Sequence, residues 1–101
     1  MFETLIQKLQ EDKFLTLETT PQHEPSMHNI IERIKKFKLQ DRVDGFSCTD
    51  NPLAKLKYNA LFASLKLQME FKKPVIATMS MRDRNKIALQ SDLMAANDFD
   101  V

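Results

Sequence analysis

The sequence predicts an α/β protein built on parallel strands, and three observations carry that prediction. An apolar-polar alternating segment ending in a polar residue recurs as Phe14-Leu15-Thr16-Leu17-Glu18-Thr19, Val43-Asp44-Gly45-Phe46-Ser47-Cys48-Thr49 and Val75-Ile76-Ala77-Thr78-Met79-Ser80. Each segment is followed by a stretch with the apolar spacing of a helix. The repeat distance of about thirty residues is that of successive βα units. Folds of this kind place their chemistry at the carboxyl ends of the strands. Here those ends carry Glu18, Thr49, and Thr78 to Ser80.

Each element has its own justification. Phe2, Leu5, Ile6 and Leu9 share one helical face, so a short helix opens the chain, and Asp12-Lys13 breaks it. The first strand puts Leu15 and Leu17 on one face and Thr16 and Glu18 on the other. Pro21 and Pro25 bracket a loop, and Ser26 is a candidate cap. Met27, Ile30, Ile31, Ile34 and Phe37 then form the stripe of a first crossover helix, with Glu32, Arg33, Lys35 and Lys36 on its wet side. In the second strand Phe46 and Cys48 oppose Gly45, Ser47 and Thr49. Asp50-Asn51-Pro52 reads as a helix start, with Asn51 as cap and Pro52 in the first turn. The expected helix runs from Pro52 towards Phe71 with a wide apolar surface (Leu53, Leu56, Ala60, Leu61, Leu65, Leu67), and Lys72-Lys73-Pro74 ends it. The last helix spans roughly Asp83 to Ala96, with Ile87, Ala88, Leu93 and Ala95 on its apolar side and Asn97 as its stop. Phe99-Asp100-Val101 reads as the approach to a fourth strand.

Three βα units fall well short of the ~250 residues of a closed eight-stranded barrel. An isolated three-stranded parallel sheet exposes its edges and one face. The expectation is a single partial domain over residues 1–101, the N-terminal βαβαβα portion of a larger fold preceded by a short helix. Such a piece is expected to fold poorly alone and to associate.

Composition narrows the function. With 43% hydrophobic and 29% charged residues the chain is of ordinary globular type, and its formal charge of +1 gives no support to nucleic-acid or acidic-membrane binding. Cys48 is the one cysteine, so an intrachain disulfide is excluded and a reducing compartment is expected. No apolar run approaches the ~18 residues of a membrane span, and the mixed-charge N-terminus does not read as a signal peptide, so the cytoplasm is the expected location. The single glycine, Gly45, excludes a P-loop or dinucleotide fingerprint within these residues.

The candidate site lies at the strand ends. Glu18, on the face opposite Leu15 and Leu17, reads either as a partly desolvated carboxyl suited to general-acid work or as an edge carboxylate that caps the loop before Pro21. Ser47, Thr49, Thr78 and Ser80 read as hydroxyls lining the same rim, or as residues that strand ends tolerate. Arg82-Asp83-Arg84-Asn85 reads as an anion holder at a helix start, or as solvated charge around a first-turn acid. His23 and His28 lack the spacing and third partner of a metal site, and no metal is expected. Cys48 is expected to be a buried small hydrophobe.

Three runs carry a family resemblance. Leu17-Glu18-Thr19-Thr20-Pro21 resembles the E-x-x-P signature of methylenetetrahydrofolate reductases, as do Phe46-Ser47-Cys48-Thr49 and the longer run Arg82-Asp83-Arg84-Asn85 through Ile87-Ala88-Leu89-Gln90-Ser91-Asp92-Leu93. The resemblance extends from about Lys13 to Val101 and corresponds to the first third of a family member. It implies a (β/α)8 TIM barrel holding FAD at the carboxyl ends of its strands. It also implies reduction of 5,10-methylenetetrahydrofolate to 5-methyltetrahydrofolate with NADH or NADPH, in a cytoplasmic, homo-oligomeric parent. On that resemblance Glu18 is the catalytic acid that protonates folate N10, and Thr49, Asp50 and Thr78 stand at flavin-binding positions. The chain departs from the pattern at two of these: Asp50 stands where relatives often carry tyrosine, and Thr78 where they often carry histidine. The fragment by itself is expected to be inactive. Two other readings remain beside this one: a non-catalytic βα module acting by association, and a pterin- or corrinoid-linked methyl-transfer relative.

Overall fold

Parallel pairing organises the molecule. In the computed structural model, which describes Met1–Val101, three short strands lie in the order β1-β2-β3: β1 at Thr16–Thr19, β2 at Gly45–Cys48 and β3 at Val75–Ala77. Both neighbours run parallel to β2. Leu17 pairs with Phe46 and Glu18 with Ser47; on the other side Phe46 pairs with Val75 and Ser47 with Ile76. Side chains alternate along a strand, so this register sorts two faces. Leu17, Thr19, Phe46, Cys48, Val75 and Ala77 share one; Thr16, Glu18, Ser47 and Ile76 share the other.

Four α-helices complete the chain: α1 at Phe2–Glu11, α2 at His28–Lys36, α3 at Ala60–Phe71 and α4 at Lys86–Asp98. The first face is covered by α2 and α3. Its core consists of Met27, Ile34, Phe46, Cys48, Ala63, Leu67 and Val75, with Leu17, Ile30, Ile31 and Tyr58 packed around it. Phe46 and Phe71 meet with ring centroids 5.2 Å apart. The Lys35–Glu70 ion pair joins α2 to α3 across the wet side. The outer helices are different, since neither α1 nor α4 buries a residue. The expected apolar side of α4 is therefore not core, and Ile87 and Leu93 are exposed.

Several boundaries correct the sequence expectation. The helix expected from Pro52 is a single 3-10 turn, Pro52–Ala54, followed by extended chain; Leu53 and Leu56 are exposed and take no part in the core. The reason is local. Asn51 is left-handed with φ 42°, and its side-chain oxygen accepts from the Lys57 amide at 2.7 Å rather than from a helical turn. The true cap is Asn59, whose side chain accepts from the Phe62 amide at 3.0 Å and starts α3. Phe37, expected in the stripe of α2, is exposed beyond the helix with the Lys36 ammonium 5.6 Å from its ring centroid. Phe99-Asp100-Val101 closes α4 instead of starting a strand. Asp100 is left-handed, and the amides of Asp100 and Val101 return to the carbonyls of Asn97 and Ala96. That pattern satisfies the last carbonyls of the helix and moves its stop past Asn97.

The one glycine has a packing reason. A Cβ at Gly45 would lie 2.4 Å from the Pro74 carbonyl oxygen and 2.7 Å from the Phe14 ring. The Pro74 oxygen accepts from the Phe46 amide at 3.0 Å, so it cannot retreat without opening the β2–β3 ladder. Gly45→Ala is expected to lower unfolding stability by about 1–3 kcal/mol through overpacking. Urea denaturation checks this, and an unchanged midpoint would contradict the packing account.

Candidate functional site

The carboxyl ends of the strands gather one polar row and one ion cluster. The row lies on the uncovered face. Glu18 stands beside Ser47 in register, and the Thr49 hydroxyl donates to the Thr20 hydroxyl at 3.1 Å across the ends of β1 and β2. Backbone pairing continues past the strands, from the Thr49 amide to the Thr19 carbonyl (3.1 Å) and from the Thr78 amide to the Cys48 carbonyl (3.0 Å). These bonds hold Thr49 and Thr78 at the same rim as Glu18. Thr20 was not singled out from the sequence; its place two residues after Glu18 on the alternation was the available signal.

Glu18 disagrees in the structure with the first of its two sequence readings and is compatible with the second, an edge carboxylate. It is exposed on the open sheet face rather than desolvated. The cause is architectural: α2 and α3 both pack on the opposite face, which leaves Glu18 and Ile76 exposed, the latter 45%. Thr78 is likewise exposed, whereas Ser47 and Thr49 are half-buried.

Asp50 is the centre of the second cluster. Its side chain is 1% exposed and forms an ion pair with Arg84, whose side chain is 12% exposed. One carboxylate oxygen, Oδ2, accepts from Arg84 Nη1 and from the Ser80 amide at 2.7 Å; the other, Oδ1, accepts from Asn51 Nδ2 at 3.3 Å and faces Arg84 Nη2 at 3.5 Å. A carboxylate offers about four acceptor positions, and all are taken. Arg84 also donates to the Ser80 carbonyl at 2.9 Å and, through Nε, to Asp92 at 3.0 Å. The cluster thus ties the end of β2, the β3–α4 connection and the body of α4 together.

The electrostatics follow from that geometry. Burial by itself would push the Asp50 carboxyl up, but the hydrogen bonds from Arg84 and the Ser80 amide outweigh it and hold the group below the usual carboxylate range. The hydrogen bond to Asp50 raises Arg84 in turn. Neighbouring Cys48 is pushed up to about 11 by burial, so it is a neutral thiol packed in the core. Arg82 lies outside, donating to Asp83 at 2.9 Å and to the Asn51 carbonyl at 3.1 Å. With both guanidinium groups engaged by Asp50, Asp83 and Asp92, the anion-holding reading of Arg82 to Asn85 loses its free charge. Asn85 instead caps α4, accepting from the Ala88 amide at 2.8 Å.

No group of three or more His, Cys, Asp or Glu side chains is placed to hold a metal ion. No helix is long and apolar enough to cross a membrane. Comparison of the chain with protein-family models, with curated proteins and with solved structures finds no match. The class defined by the fold is therefore a small α/β protein with a three-stranded parallel sheet and four helices.

Breaking the buried pair leaves a charge without a partner. Arg84→Gln is expected to cost about 3 kcal/mol of stability at neutral pH, with Arg84→Lys falling between it and the native chain. The sign with pH is fixed by the lowered Asp50 value. The contribution of the pair is complete above the unfolded carboxylate value of about 3.9 and fades as pH falls below it. Chemical denaturation from pH 7 down to pH 2.5 checks both, and Asp50→Asn should flatten the acid limb.

Proposed function

We infer that these residues form the first three βα units of a (β/α)8 barrel, the N-terminal part of a flavin-dependent oxidoreductase of the methylenetetrahydrofolate reductase type. One observation supports this reading most. A carboxylate and a set of hydroxyls (Glu18, Thr20, Thr49, Thr78) follow successive parallel strands and lie together on a face that the chain's own helices leave open. In a barrel that face is the interior, and the strand ends are its catalytic rim.

The residues present fit an FAD in part. Thr49 and Thr78 offer hydroxyls on the open side, and Ile76 offers an exposed apolar surface beside them. Asp50 does not fit as a direct contact, because its acceptor positions are filled by Arg84, Ser80 and Asn51. Its part in this reading is to hold the loop from Ser80 to Arg84 in place. A bound flavin supplies hydride transfer between NADH or NADPH and 5,10-methylenetetrahydrofolate. Glu18 holds the proton that N10 takes as its bond to the methylene carbon breaks, and 5-methyltetrahydrofolate is the product. For that role the carboxyl must be protonated near neutral pH, so the open face must be covered when substrate is bound.

A second reading, a βα module acting by association, is favoured by α4 and its exposed Ile87, Leu93 and Met94. The test that separates the two uses the holoenzyme carrying these residues and its Glu18→Gln variant. Flavin reduction by NAD(P)H is expected to survive, while reoxidation by methylenetetrahydrofolate slows by at least about 100-fold. Absence of bound flavin would remove the reductase reading. Survival of both half-reactions would remove the role of Glu18.

A further inference from the structure

A cleft of about 280 Å³ opens between the β1–α2 and β2–α3 connections, lined by His23, Glu24, Pro25, Leu56, Lys57 and Tyr58. None of the hydroxyl row and neither Asp50 nor Arg84 lines it, although Asn51 bonds both the Asp50 carboxylate and the Lys57 amide, and the proposed reaction does not use it. Its volume is close to the lower end of small-molecule sites, roughly 300–1,000 Å³.

The walls are braced rather than loose. The Tyr58 amide donates to the Gln22 carbonyl at 2.8 Å, the Lys57 amide to the Asn51 side chain at 2.7 Å, and His23 Nδ1 lies 3.2 Å from the Leu56 carbonyl oxygen. A carbonyl only accepts, so Nδ1 is the donor of this contact. The chain leading into the β2–α3 wall is strained at three residues that do not themselves line the cleft. Asn51, Leu53 and Ala54 have φ of 42°, 59° and 58°, a region costly to residues with a Cβ, and Leu53 is 86% exposed, so core burial does not offset the cost.

The chemistry of the lining selects the ligand. Lys57 and Glu24 present opposite charges to one cleft, yet they bridge neither each other nor any other charged group; the ion pairs of the molecule lie elsewhere. The one side-chain partner of the Glu24 carboxylate is neutral, the amide of Asn29 at 3.1 Å. Pro25, Leu56 and Tyr58 supply apolar surface to the same cleft. We propose that this cleft binds a small zwitterion of the α-amino-acid type, its carboxylate answered by Lys57, its ammonium by Glu24 and its side chain by the apolar wall. The site is open to water, so affinity is modest, on the order of 1 mM. The proposal does not rest on the reductase reading.

Saturation-transfer difference NMR on the full chain tests it with three probes: L-phenylalanine, 3-phenylpropionate, which lacks the ammonium, and 2-phenylethylamine, which lacks the carboxylate. L-Phenylalanine is expected to saturate, and each half-charged analogue to bind about fivefold more weakly. Lys57→Ala should weaken phenylalanine and phenylpropionate but not phenylethylamine; Glu24→Gln should weaken phenylalanine and phenylethylamine but not phenylpropionate. Both side chains lie at the surface of the cleft, and an unchanged circular-dichroism melt confirms that the variants fold. No saturable signal, equal binding of the three probes, or variants that leave the probes unchanged would each overturn the proposal.

Discussion

The pairing of β2 on both sides is the constraint on which the rest of this structure depends. A parallel ladder cannot be closed by a tight turn, so each pairing demands a crossover long enough to carry a helix. Those crossovers, α2 and α3, return over the same face and bury Phe46 and Cys48 completely. Gly45 sets the approach: with a hydrogen atom where other residues carry Cβ, the strand lies against Phe14 and the Pro74 carbonyl. One face becomes a core as a result, and the other is left to water. The same fact explains why burial is confined to 16 of 101 residues and why α1 and α4 contribute none of it.

Local sequence made some of this legible and hid the rest. The strands were readable because alternation has a period that no helix shares, and the faces assigned to Leu17, Glu18, Phe46, Ser47 and Cys48 agree with the register. The stripe of Ile30, Ile31 and Ile34 was readable for the same kind of reason. The start of α3 was not. Asn51-Pro52 and Asn59 carry similar capping chemistry, and the choice between them is made by a bond from the Lys57 amide that no window of sequence displays. The end of α4 is hidden from the sequence because Phe99 and Val101 have the apolar character of a strand, while Asp100 has the rarer ability to turn left-handed and close the helix.

The candidate site divides along the same line. Its hydroxyl row follows from alternation, so Thr49 and Thr78 were found and Thr20 could have been. The ion cluster does not follow from any period. Asp50 and Arg84 meet because β2 and β3 are neighbours, and charges so distant in sequence carry no signal of partnership. The sequence suggests an outside partner for each, a ligand for Asp50 and an anion for Arg84, and the structure pairs the two with each other.

That pairing bears on how an open face could support chemistry. A catalytic rim needs fixed geometry before it needs reactivity, and an exposed carboxylate such as Glu18 has little to fix it. What is fixed is the frame: the Asp50 carboxylate is saturated, buried and bonded to the backbone of Ser80, so the loop after β3 cannot drift from the end of β2. Thr49 precedes Asp50 directly, and Thr78 lies shortly before Ser80. The hydroxyls therefore inherit their positions in part from a buried ion pair. On the proposed reading, covering the open face would then change the environment of Glu18 without rearranging its neighbours, because the frame is already fixed.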